Sequence, residues 1–492
     1  MVAVSGVHGP DFPAQQFRVW LFSQHRALLF DNQWFSGHLL PGYSMLFPPL
    51  AATVGSAVVG IASCVGSSWL ATRIVRVDRQ QSHTVGLLWF SVIIVADLVI
   101  GRLPFALGLT FGLAALLAVQ RRRPGLVLLA AAACSLASPL AAGFLLLAAV
   151  AWVPSIGLRR AAPLGGAGVG LAVAQMFGGG GRFPFPWSSL LAILLFVAVG
   201  LAICPSRYPT LRRGLALYGG AALLLFVFPN PIGGNLTRLG TLLAGPVAAL
   251  VLLHIGRRRA LVVLTAPLLF WQLQPVYGAL ASSVGDPSAE PAYYAGLFGF
   301  LRTHDTSLGR IEIPLTRNHW ETSYVATAWP LARGWERQLD TGYNAVLYQP
   351  GLTSDAYHRW LQANGVSYVA LPDVALDASS AQEWRIVITP EPWLRPVWHD
   401  AHWQVWAVRD TSPMITGDAT LVDVGVTSFG LYFAHPGAAV VRLHYTRFWR
   451  VTDGYGCVAP DPSGWTIVRS ALPGPVTVTA RLDLIPPTCT LS

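Results

Sequence analysis

The sequence predicts a polytopic α-helical membrane protein of about ten helical segments, followed by a C-terminal extracytoplasmic α/β domain and a β-sandwich. Three observations predict this. The 492 residues have a mean hydropathy of +0.50 and are 11% charged, figures typical of membrane chains rather than soluble ones. Between residues 12 and 285 the acids are Asp31, Asp78 and Asp97, with no Glu. The charge balance then reverses: residues 1–285 hold 19 Arg and 4 Asp, residues 286–492 hold 14 Arg and 19 acids. A net charge of +10 divided in this way argues against a nucleic-acid partner. The basic half is read as orientation of apolar helices by anionic lipid and the positive-inside bias.

At the N-terminus, residues 1–43 read as an outer loop. Residues 14–30, AQQFRVWLFSQHRALLF, follow Pro13 and predict a helix. Phe17, Trp20, Leu21 and Leu28 share one face, with Arg18, His25 and Arg26 off it, the pattern of a helix lying in the membrane interface. Residues 31–50, DNQWFSGHLLPGYSMLFPPL, then dip toward the membrane; their Gly, Pro and aromatic residues suit a sugar or headgroup surface better than a span.

Residues 44–277 form the membrane domain. Apolar runs cover 44–72, 82–101, 103–119, 125–153, 161–177, 187–204, 211–229, 239–255 and 260–277, most of them long enough for a bilayer. The loops between them carry Arg73, Arg76 and Arg79; Arg121 to Arg123; Arg159 and Arg160; Arg207, Arg212 and Arg213; and Arg257 to Arg259. Placing these five loops in the cytoplasm puts 14 Arg inside and leaves only Arg102, Arg182 and Arg238 in the short outer loops. Run 125–153 has Arg-rich loops at both ends, so it must leave and return. Ser138-Pro139 is the natural break, predicting two helices of about 13 residues in a re-entrant hairpin. The same parity places residues 1–43 outside although no start helix precedes them. A transmembrane helix upstream of this start is the favoured expectation, with post-translational crossing as the alternative.

The tail divides into residues 278–410 and 411–492. In the first, DAYHRWLQANG reads as a helix and VSYVALP and WQVWAV as strands, a small α/β domain. Segment 313–344 is dense in Trp, Arg, His and Glu: Trp320, Trp329 and Trp335 suit sugar stacking with Glu321, Arg333 and Arg337 as partners, or equally a domain core. In the second, AAVVRLHYTRFWRV and VTVTARLDLI alternate between Pro/Gly turns, as in a β-sandwich. Cys457 and Cys489 lie in this tail and are paired in our reading as a disulfide, which requires a compartment outside the cytosol. Cys64, Cys134 and Cys204 sit in apolar runs as small core residues.

The stretches GPDFPAQ, QWFSGHLLPGYSMLFPPLAA and GRLPFALG, with the interfacial helix between the first two, resemble bacterial integral-membrane glycosyltransferases of the GT-C superfamily. The resemblance spans residues 6–280 as architecture and is most specific over 9–50. It implies a long first outer loop with an essential Asp, matched here by Asp11, a soluble domain beyond the helices, and a transmembrane helix ahead of the loop. It also implies transfer of a sugar from a polyprenyl-phosphate donor to a cell-envelope glycan, lipid or protein at the outer face of the bacterial cytoplasmic membrane. Asp11 would take the acceptor proton or hold a divalent metal, Mg or Mn; no organic cofactor is expected.

Each candidate has a plainer reading beside this one. Asp11 and Pro13 suit a helix N-terminus equally well. Asp97, in VADLVIGRLPF, is a second acidic site residue or one half of an ion pair with Arg102. Asp31 is a turn residue or a substrate contact, and Asp78 a solvated loop charge. Arg182 in GGGGRFPFPW and Arg238 in NPIGGNLTRLG sit in Gly-rich outer loops and suit a phosphate, or headgroup snorkelling. His38 contacts substrate or satisfies a local hydrogen bond. The competing classes are a transporter or flippase for an envelope precursor, disfavoured by spans nearly free of carboxylates and by the lack of an evident internal repeat, and a non-catalytic membrane scaffold.

Overall fold

The computed structural model describes residues 8–26, 29–75, 82–177, 181–304, 309–483 and 489. They form two compact units. The first takes residues 1–15, 41–284 and 337–339, and the second residues 16–40, 285–336 and 340–492.

The first unit is helical. Its helices are α1 (Phe12–His25, of which the residues from Gln16 belong to the second unit), α2 (Phe47–Val54), α3 (Ser56–Ile74), α4 (Ser82–Ile93), α5 (Val95–Ile100), α6 (Leu103–Gln120), α7 (Pro124–Ala137), α8 (Pro139–Ile156), α9 (Leu158–Ala161), α10 (Gly166–Met176), α11 (Trp187–Ile203), α12 (Pro209–Val227), α13 (Thr237–His254) and α14 (Arg258–Ser283). Among the described residues, seven helices are long and apolar enough to cross a membrane, with α4 and α5 counting as one. Helices α7 and α11 are apolar but shorter.

The chain breaks where its chemistry requires. Gly55, at φ 91°, separates α2 from α3 inside the first apolar run. Ser138 ends α7 in an extended conformation and caps α8, its hydroxyl accepting from the Ala141 N–H at 3.3 Å, with Pro139 next. The predicted break is therefore present, and α7, at 14 residues, has the half length expected, whereas α8 does not. Helix α8 runs 18 residues, to Ile156, with Pro154 inside its last turn. Run 161–177 yields an 11-residue α10 after a 3₁₀ turn at Ala162–Gly165. Helix α14 continues to Ser283, through Pro267 and Pro275, past the predicted domain boundary. Small residues let neighbouring helices pack closely: a Cβ on Gly245 would meet the Trp89 ring at 2.3 Å, and one on Gly240 the Trp271 ring at 2.2 Å. Gln272 satisfies both neighbours within this packing, accepting from Trp89 Nε1 and donating to the Thr241 carbonyl.

The second unit opens with a two-stranded hairpin, β1 (Phe30–Asp31) and β2 (His38–Leu39), in which Asp31 faces His38. A four-stranded mixed sheet follows from β3 (Arg310–Glu312), β4 (Val366–Pro372), β5 (Leu394–His399) and β6 (Trp403–Val408), in the order β3-β4-β6-β5 with β3 parallel to β4. Helices α15 (Ala295–Thr303), α16 (Glu321–Tyr324), α17 (Arg337–Tyr343, of which the first three residues belong to the first unit), α18 (Ser354–Ala363) and α19 (Ala381–Val387) complete this α/β part. Strands β4 and β6 fall on VSYVALP and WQVWAV as predicted, and α18 on the predicted helix.

The remaining strands are β7 (Ile415–Gly417), β8 (Ala419–Val424), β9 (Ser428–Phe433), β10 (Gly437–His444), β11 (Trp449–Asp453), β12 (Cys457–Pro460), β13 (Trp465–Ser470) and β14 (Gly474–Ala480). They form two antiparallel sheets, β12-β13-β10-β7 and β11-β14-β9-β8, around a core that includes Phe429, Phe433, Val441, Trp449 and Val478. The run AAVVRLHYTRFWRV divides between β10 and β11, which belong to different sheets. Cys457 and Cys489 are disulfide-bonded, with Cα atoms 5.2 Å apart.

The largest departure from the sequence reading concerns residues 16–40. They are an integral part of the second unit. Phe30 enters the sandwich core. Asn32 N–H donates to the Val426 carbonyl, Trp34 Nε1 to the Thr322 carbonyl, and His444 N–H to the Ser36 carbonyl. The aromatic residues that resemble a headgroup surface in sequence are interior anchors. Helix α1 ends at His25, with Arg26 at φ 52°; Phe17 and Leu21 are buried, and so is Arg18, which the helical wheel places off the apolar face. Leu28 lies outside the described residues.

Candidate functional site

The site grows from a corner between two helices. Gly101 ends α5 in the left-handed region, at φ 90°. Its N–H and that of Arg102 both donate to the Asp97 carbonyl, at 3.1 and 2.7 Å. Pro104, in the first turn of α6, then turns the chain away. The segment before α1 lies directly on this corner. Asp11 N–H donates to the Ile100 carbonyl at 3.2 Å. A Cβ on Gly101 would meet Phe12 N at 2.5 Å, and one on Gly9 would meet the Ile100 carbonyl at 2.5 Å. Two glycines thus let the backbones interlock and fix where Asp11 and Arg102 emerge.

Asp11 stands immediately before α1, as a capping residue would, but its carboxylate turns to two guanidiniums. Oδ2 lies 3.5 Å from Arg102 Nε and 3.5 Å from Arg238 Nη2. Arg238 comes from the first turn of α13, with its guanidinium carbon 5.7 Å from the Phe105 ring centre. Asp97, on α5, is 6% exposed and lies within the fields of Arg102, Arg238 and Asp11. Its Oδ2 is buried and has no hydrogen-bond partner among the described residues. Tyr43 also acts electrostatically on Arg238 and accepts from Gln15 Nε2 at 2.8 Å.

The sequence reading therefore meets a mixed outcome. Asp11, Asp97 and Arg238 come together. The expected Asp97–Arg102 ion pair is replaced by Arg102–Asp11, because the Gly101 corner sends Arg102 toward the α1 side. Arg182 is exposed on the stretch leading to α11, and the ion pairs on Asp11 come from Arg102 and Arg238 instead. Asp78 lies outside the described residues. Tyr43 and Gln15 were not singled out by sequence, where each is one polar residue in an aromatic or helical stretch; the signal available was Tyr43 in LPGYSM, within the stretch most specific to the resemblance.

Asp31 and His38 lie in the second unit, both buried, with Asp31 Oδ2 3.6 Å from His38 Nδ1. Asp31 Oδ1 accepts from the Gln33 N–H, the turn role expected of it. Burial pushes the Asp31 carboxyl up to about 7, against backbone hydrogen bonds and the Arg18 charge. Burial, with Arg18 adding to it, pushes His38 down to about 3. Arg18 itself pairs with the buried Glu336 and lies 5.7 Å over Trp34.

Segment 313–344 is core in large part. Trp320, Glu321 and Arg333 are buried. Arg333 is held by Asp340 at 2.6 Å and Glu383 at 3.1 Å, and Tyr357 donates to Glu383 at 2.6 Å. Burial and the neighbouring Glu383 push the Glu312 carboxyl well above its usual range. These side chains hold the α/β part together from inside.

A divalent metal is a poor match for the Asp11 site. The Asp11 oxygen that would bind it is flanked by two guanidiniums, whose charge repels a dication. Among the described residues no three His, Cys, Asp or Glu side chains are grouped to hold one. The donor set suits an anion. No protein-family model matches the chain, and no curated protein sequence matches it.

Proposed function

We propose that this chain is a GT-C-like membrane glycosyltransferase that moves a sugar from a polyprenyl-phosphate donor to a cell-envelope acceptor at the outer face of a bacterial cytoplasmic membrane. The observation that carries the reading is the orientation of Asp11: its carboxylate meets Arg102 and Arg238, beside the buried Asp97, instead of capping its own helix. This assembles a base and a phosphate-binding pair in one place, as transfer from a lipid phosphate requires. In that reaction an acceptor hydroxyl attacks the anomeric carbon, the bond from that carbon to the phosphate oxygen breaks, and the electron pair leaves on the polyprenyl phosphate. Asp11 takes the hydroxyl proton, and the two guanidiniums balance the charge that develops on the leaving phosphate. The Arg-rich loops and the disulfide of the tail support an outer-face location.

The test is release of polyprenyl phosphate by the purified protein from a panel of polyprenyl-phosphate pentoses and hexoses. Asp11→Asn should lower turnover by about 10²–10⁴-fold, the usual contribution of a general base, while donor is still bound. Unchanged turnover in that variant removes Asp11 from the chemistry. Donor carried across vesicles without release of polyprenyl phosphate identifies a carrier.

A further inference from the structure

The two guanidiniums at the site have more hydrogen-bonding capacity than the protein uses. Each carries five N–H donors in a fixed fork, yet both Nε atoms are buried with no hydrogen-bond partner among the described residues. The contacts to Asp11 are 3.5 Å ion pairs, beyond hydrogen-bond length, and converge on a single oxygen. Arg102 and Arg238 side chains are 19% and 16% exposed. Guanidiniums so withdrawn from water and so little bonded are costly unless an acceptor with several oxygens meets them. A phosphate has that geometry and takes bidentate donors well. The Asp11 carboxylate occupies the point between them that a phosphate oxygen would take. Its backbone is anchored through the Asp11 N–H to Ile100, so the side chain can turn away without moving the chain.

We propose that Arg102 and Arg238 form a seat for a lipid-borne phosphate and that Asp11 is its internal competitor, so that the arriving phosphate displaces the carboxylate and releases it to accept a proton. The inference rests on the transferase reading only for the identity of the anion. It ties the base to the substrate: the carboxylate stays in its ion pairs until the donor phosphate is in place and displaces it.

The experiment measures binding of dodecyl phosphate, and separately of inorganic phosphate, to the full chain in a neutral detergent at fixed salt. Asp11→Asn removes the competitor and should bind dodecyl phosphate about tenfold more tightly than the parent chain. Arg102→Gln and Arg238→Gln should each weaken binding by about tenfold or more, and in the double Arg variant the Asp11→Asn gain should vanish. Tighter binding of dodecyl phosphate than of inorganic phosphate assigns the seat to a lipid headgroup; equal affinity assigns it to a soluble anion and overturns the lipid part of the proposal. Asp11→Asn binding no more tightly than the parent, or Arg variants binding as well as it does, overturns the competition. Protein that shows the competition but releases no polyprenyl phosphate keeps the seat and loses the transferase reading. Protein that turns donor over while Asp11→Asn leaves affinity unchanged does the reverse.

Discussion

Asp31 and His38 show how two buried groups can hide each other's pH dependence. In the folded chain Asp31 is pushed up to about 7 from an ordinary 3.8. Taken alone, its stability contribution is present below 3.8 and is lost as pH rises toward 7. His38 is pushed down to about 3 from 6.5, so alone it loses stability as pH falls below 6.5. Between roughly pH 4 and 6.5 the folded pair holds one proton and the unfolded pair also holds one, so the two slopes cancel. That count is the same whichever partner carries the proton, which makes it robust to their coupling. Single substitutions unmask the terms with opposite sign. Asp31→Asn should lose stability as pH falls through this window, by about 1.4 kcal/mol per pH unit at most. His38→Gln should lose it as pH rises. Melting temperatures of both variants against the parent chain from pH 4.5 to 6.5 decide the matter; slopes of the same sign would sink the pairing. The sequence shows Asp31 and His38 seven residues apart, but only the hairpin register brings them opposite each other.

At the scale of elements, the strongest local signals in the sequence were those written in Pro, Gly and alternation. Ser138-Pro139 marks a helix break because Pro lacks the N–H that a continuing helix would need, and β4 and β6 read correctly because their short β-branched and aromatic runs are bounded by turns. What sequence could not show was which glycines bend the chain freely and which are clamped. Gly55 and Gly101 both sit at positive φ, 91° and 90°. A Cβ on Gly55 meets nothing within 4 Å, whereas one on Gly101 strikes Phe12 N at 2.5 Å. Gly55, with ψ at 141°, lies in a positive-φ region essentially confined to glycine, so Gly55→Ala should cost only this backbone strain, about 1–3 kcal/mol. Gly101→Ala adds a backbone collision that must push the Asp11 segment off the corner, so it should cost roughly 2–4 kcal/mol and, on the proposed transferase reading, remove donor turnover as well. The readouts are melting temperature and release of polyprenyl phosphate. A Gly101→Ala chain indistinguishable from Gly55→Ala would mean that the interlock does not hold Asp11 in place.

For the whole molecule, composition carried the division into an apolar helical part and a mixed polar tail, since burial in lipid and burial in a soluble core select different residues over hundreds of positions. It could not reveal that the second unit is discontinuous. Residues 16–40 read as a membrane-surface loop because Phe30, Trp34 and Phe35 look alike whether they meet a headgroup or a protein core; the difference lies in partners more than 280 residues away, such as the Thr322 carbonyl that accepts from Trp34 and the sandwich core that receives Phe30. The Arg18–Glu336 pair repeats the lesson with charge, since the carboxylate that offsets this buried guanidinium comes from far along the chain. The consequence is testable. Residues 285–492 expressed alone would leave a core position unfilled at Phe30 and the Glu336 carboxylate without its guanidinium, and large-to-small losses at such core sites cost about 3–5 kcal/mol each, a large share of a domain's total stability. That fragment should be aggregation-prone or expanded, with poorly dispersed amide resonances. A chain in which residues 16–40 are joined ahead of residue 285 by a flexible linker should fold cooperatively, and Phe30→Ala in that joined chain should return it toward the behaviour of the fragment. A fragment 285–492 that melts as cooperatively as the joined chain would show that the N-terminal segment decorates the unit without completing it.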